Sequence, residues 1–126
     1  MNGKNPIILL KEKLINDINQ VEFSLLKENW NKIFNREKHT RIIYEEDEVI
    51  PIMDSEWFGD DLFLKNEVLN DIEYMTKRFL NNKSNDAKRN FTLLLDHYYW
   101  LIESLATTKN MDAKKYFKLF EKLFTN

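Results

Sequence analysis

Histidine is the side chain best suited to moving a proton near neutral pH, and the chain holds two, His39 and His97. Asp96 precedes His97, but neighbours on a helix point about 100° apart. Ser104 shares a helical face with His97 seven residues away, which is about 10 Å along the axis and beyond a hydrogen bond. Arg89, eight residues before His97, is more distant still. No G-x-S-x-G nucleophile elbow occurs. The absence of cysteine excludes thiol catalysis, disulfide scaffolds and Cys-ligated zinc or iron–sulfur sites. His97 is therefore expected as a helix histidine satisfied by a local partner.

Ligand chemistry fares no better. Two histidines without an E-x-x-H or H-E-x-x-H pattern leave no helical metal site. Asp54, Glu56 and Gly59 fit positions 1, 3 and 6 of a calcium loop, but Phe58 stands at position 5. Lys65 stands at position 12, where a bidentate Glu is required. No metal and no cofactor is expected. With two glycines in the chain there is no phosphate-binding loop. Lys114, Lys115, Lys118 and Lys122 read as the solvated face of an amphipathic helix, so direct nucleic-acid contact is not expected. The apolar run Ile7 to Leu10 is too short for a signal peptide or a membrane span. A cytoplasmic protein is the expectation.

Charge is distributed unevenly. The chain carries 19 basic and 21 acidic residues, a net −2. Residues 1–41 sum to +3 and residues 65–126 to +3, whereas residues 42–64 hold eight acids and no Lys or Arg, a sum of −8. The acids are Glu45, Glu46, Asp47, Glu48, Asp54, Glu56, Asp60 and Asp61. So many like charges repel one another unless something offsets them. Tyr44, Ile50, Ile52, Met53, Trp57 and Phe58 lie among them, and a monomer does not comfortably expose all six. An aromatic left at the surface beside carboxylates has the character of an interface anchor with a charged rim.

The elements that must position these groups are helices. Asn5 and Pro6 suit a helix start, and Ile7, Leu10, Leu14, Ile18 and Val21 form a helical stripe. Phe23, Leu26, Trp30, Ile33 and Phe34 form a second. The two stripes fit either one long helix over residues 6–34 or two helices broken near residues 19–23, and Ser24 as a cap favours two. The β-branched and aromatic residues around Glu45–Glu48 predict an extended or hairpin-like acidic insertion near residues 40–58, with Pro51 restricting any second strand to an edge. Gly59 marks a turn, and Asp60 or Asp61 caps a helix carrying Leu64, Val68, Ile72, Met75 and Phe79. Ser84 caps a further helix with Phe91, Leu94, Leu95, Tyr98, Ile102 and Leu105. That helix is apolar on most sides and so belongs at the centre. Asn110 or Asp112 caps the last, with Ala113, Tyr116, Phe117, Phe120 and Phe124. The expected fold is a single all-α domain over residues 1–126, a bundle of four or five helices.

Size, charge and the missing catalytic groups together suggest a non-enzymatic binding protein. The class expected is a bacterial immunity- or antitoxin-type inhibitor that masks a basic, nuclease-like surface with its acidic segment 44–61. Its expected contacts are Tyr44, Glu45, Glu46, Asp47, Glu48, Asp54, Glu56 and Trp57, with Tyr44 and Trp57 as anchors. The alternative is a helical structural or adaptor subunit, a homodimer included, associating through aromatic helix faces near Trp30 or Trp100. A third reading is an all-α enzyme using Asp96, His97 and Glu103.

Overall fold

The computed structural model of the protein describes residues 5–38, 52–81 and 86–125. These form six α-helices: α1 (Pro6–Gln20), α2 (Phe23–Glu37), α3 (Asp61–Leu80), α4 (Ala87–His97), α5 (Tyr99–Thr108) and α6 (Ala113–Thr125). A 3-10 turn at Ile52–Asp54 precedes α3. No strand occurs among the described residues. The expected hairpin-like insertion falls mostly on residues 39–51, which lie outside them.

The starts of the helices follow local chemistry. The Asn5 side chain accepts from the Ile7 amide at 2.8 Å, and Pro6 occupies the first turn, where a missing N–H costs nothing. The chain then breaks at Val21, whose φ −111° and ψ 159° are extended. Ser24 lies inside α2 and caps nothing; Glu22 precedes α2 without a side-chain cap, its carbonyl accepting from Leu25 and Leu26 at 3.1 Å. Asp60, Asp86 and Asp112 each accept an amide of the first turn of α3, α4 and α6. Such a cap contributes about 1 kcal/mol.

The sixth helix arises from a break the sequence pattern does not announce. The stripe from Phe91 to Leu105 predicts one helix, but Tyr98 turns to φ −97°, ψ 15° and separates α4 from α5. Its phenol reaches across to α3, donating to the Asp71 carboxylate at 3.0 Å. The backbone on either side still closes, from Tyr98 N–H to the Leu94 carbonyl and from Ile102 N–H to the Tyr98 carbonyl.

Helix α5 is central, as its apolar sides predict. Trp100, Leu101, Ile102, Leu105 and Ala106 are all buried, and the buried Ser104 hydroxyl donates to the Trp100 carbonyl at 2.6 Å. Helix α5 packs on α2 and on α6; α1 packs on α3 and α6; α4 touches α1, α3, α5 and α6. The α1 stripe Ile7, Leu10, Leu14 and Ile18 is buried, each side chain contributing about 1.5–3 kcal/mol of transfer free energy.

One buried charge stitches distant helices. Asp17 of α1 is 2% exposed. It accepts from the Tyr116 hydroxyl of α6 and from Lys109 at 3.2 Å, and lies 3.3 Å from Lys13 one turn earlier. Burial opposes its charge, but the Tyr116 hydroxyl and then the two lysines outweigh burial and hold its pKa below the usual carboxylate range.

Candidate protein-binding surface

Residues 52–61 form a loop that α2 holds by both backbone and rings. Met53 and Trp57 point inward and are buried. The Trp57 indole stacks on Trp30 with centroids 4.4 Å apart and planes 7° from parallel, and on Phe23 at 5.6 Å. Each indole N–H is satisfied by the loop: Trp30 donates to the Ser55 carbonyl at 2.9 Å, Trp57 to the Ile52 carbonyl at 3.0 Å. Buried donors of this kind require partners. Asn31 completes the clamp. Its carboxamide accepts from the Trp57 amide at 2.7 Å and donates to the Trp57 carbonyl at 3.1 Å, the two bonds a neighbouring strand would supply.

At the far end Lys27 donates to the Gly59 carbonyl at 3.3 Å and pairs with Asp61. Gly59 has φ 105°, a conformation that favours glycine, and the turn it makes redirects the chain into α3.

What this anchoring leaves outside is apolar. Phe58 is 72% exposed, Leu62 67% and Phe63 62%. Four acids flank them in sequence, Asp54, Glu56, Asp60 and Asp61. Asp60 is engaged as the α3 cap and Asp61 with Lys27. Asp54 and Glu56 are half-buried and make no ion pair among the described residues.

The expected contacts fare unequally. Trp57 is 0% exposed and is a core residue, sealed between Trp30 and Phe23, so it presents nothing to a partner. Phe58 takes the exposed position instead, because successive residues of an extended segment face opposite ways. Asp54 and Glu56 do lie beside the exposed triad in sequence. Tyr44, Glu45, Glu46, Asp47 and Glu48 lie outside the described residues. Leu62 and Phe63 were not among the expected contacts. Their signal was present, since the stripe Leu64, Val68 and Ile72 faces the core and leaves both of them off it. Trp30 and Trp100, named for the alternative association through aromatic helix faces, are themselves buried, whereas the neighbouring Tyr99 is 45% exposed.

The residues weighed for catalysis go to separate places. The His97 imidazole faces Asp71 of α3 at 3.5 Å, and Tyr98 shares that carboxylate. Asp96 lines a groove beside Lys114, and Glu103 holds Arg36 of α2 at 2.9 Å. The nearest carboxylate to His97 lies across the bundle, not at Asp96, and at 3.5 Å its buried Nε2 makes no hydrogen bond among the described residues. Among the described residues no three His, Asp or Glu side chains gather as a metal site. No helix among them is long and apolar enough to cross a membrane.

Comparison with known proteins gives a family. The sequence pattern of the Mg296 protein family matches residues 4–123. The chain is 25% identical to the uncharacterized protein MG296 homolog of Mycoplasma pneumoniae, over 96% of this chain and 95% of that one. It is 27% identical to the uncharacterized protein MG296 of Mycoplasma genitalium, over 90% of this chain and 88% of that one. No solved structure matches.

Proposed function

The chain belongs to the Mg296 protein family, and we propose that it is a non-enzymatic protein-binding module that covers a basic surface on another protein. The class is an immunity- or antitoxin-type inhibitor, and the surface it masks is nuclease-like, built to hold phosphates. The observation that carries this reading is the Phe58–Leu62–Phe63 triad, exposed within the one stretch of chain that has eight acids and no basic residue. A central apolar anchor inside a charged rim is the anatomy of a specific interface. The carboxylates steer a cationic partner and raise its association rate more than its affinity. The triad supplies the affinity.

A pull-down from the source cell, repeated with variants, tests the reading. The wild-type chain retains a basic protein at low salt and releases it as salt rises. Reversing charge with Glu45→Lys and Asp47→Lys slows association and weakens binding. Phe58→Ser with Phe63→Ser weakens it by about 30-fold or more, the scale of a lost hot spot. A partner held with unchanged affinity by both double variants sinks the assignment.

A further inference from the structure

A second apolar feature lies on another side of the molecule. A groove of about 470 Å³ runs between α4–α5 and α6, floored by Leu95, Tyr99 and Phe117. Tyr99 is 45% exposed and stacks on Phe117 at 4.6 Å. A second hollow of about 300 Å³ continues it past Phe91 and Phe124, sharing Thr92, Leu95 and Glu121. Lys114 and Lys118 stand on the α6 wall and Lys88 on the α4 wall. Asp96 and Glu121 also line it, but α6 as a whole carries four lysines against one glutamate. The groove is apolar with a cationic wall.

We propose that this groove receives the Phe58–Leu62–Phe63 knob of a second copy, so that chains associate head to tail. The chain itself supplies the occupant: the knob holds the most exposed apolar side chains of the described residues, and the stretch of sequence that carries it is acidic where the α6 wall is basic. Volumes of 300–470 Å³ fall in the range of sites that enclose ligands bearing several rings. A chain does not satisfy its own groove, because α5 stands between. Trp100 faces Trp30 of α2, the helix that carries the knob's loop, while the preceding residue Tyr99 faces Phe117 of α6. Docking unlike surfaces leaves a free knob at one end of the assembly and a free groove at the other, so it does not close at two copies by symmetry. The inference rests on the knob being an interface, as proposed above. A second copy then occupies it when no basic partner is present, and the two compete.

Two surface variants decide the matter. Phe58→Asp with Phe63→Asp breaks the knob and leaves the groove. Lys114→Glu with Lys118→Glu breaks the groove and leaves the knob. Far-UV circular dichroism checks that both fold. In sedimentation velocity the wild type gains mass with concentration and loses it at high salt, with self-association weakened about tenfold or more. Each variant alone stays monomeric. Mixed in equal amounts they form a one-to-one dimer and nothing larger, since one intact knob meets one intact groove. A wild type that is monomeric at every concentration, or a mixture that forms no dimer, overturns the proposal. Partner capture separates its failure from that of the functional reading. The groove variant keeps the basic partner if the acidic surface binds it, whatever becomes of self-association.

Discussion

At Asp17 a single carboxylate shows how much of this protein is decided by side chains remote in sequence. Its partners Lys109 and Tyr116 are 92 and 99 residues away. Both lysines are about a quarter exposed, so Asp17→Asn leaves them free to turn to water. The expected loss is then about 2 kcal/mol, the scale of charge-assisted hydrogen bonds, measured by urea unfolding at neutral pH. The sign with pH follows from the lowered native pKa. The contribution is present above the unfolded value of about 4 and disappears as pH falls through the native value. Asp17→Asn should therefore flatten the acid limb of the stability profile. None of this was legible in the sequence, where Asp17 is one polar residue beside a stripe. Trp57 was misplaced for a related reason. An aromatic among acids has the chemistry of an anchor whether it points in or out, and only the stacking on Trp30 and Phe23 decides.

Among the elements, those with a repeating pattern were readable and those fixed by one distant contact were not. The stripes of α1, α2, α3 and α6, the Asn5 cap and the Gly59 turn all follow from local spacing and backbone preference. The division of α4 from α5 does not, because it coincides with a phenol reaching Asp71 on another helix. The loop 52–61 lacks any period, and its seat depends on Asn31. Asn31→Ala removes both bonds to the Trp57 backbone and should cost about 1–3 kcal/mol. Native-state hydrogen exchange locates the effect: amides at 55–59 lose protection while those of α6 keep theirs. Equal loss in both would mean that the loop and the bundle open as one unit.

As a whole molecule, the chain is organised around α5, which packs on α2 and α6 and also meets α1 and α4. The buried apolar residues described form one cluster drawn from all six helices, so thermal unfolding should be a single transition with calorimetric and van't Hoff enthalpies equal. Two separated heat-absorption peaks would contradict it. Charge is uneven at the same scale, with eight acids and no Lys or Arg in residues 42–64 and four lysines on α6. The seat of the loop also gives the molecule an optical property. Two indoles held face to face at 4.4 Å mix their excited states, so their joint absorption differs from that of two separate tryptophans. Unseating the loop parts the rings and abolishes that exciton coupling, and the protein carries in its native residues a spectroscopic gauge of whether its binding surface is in place.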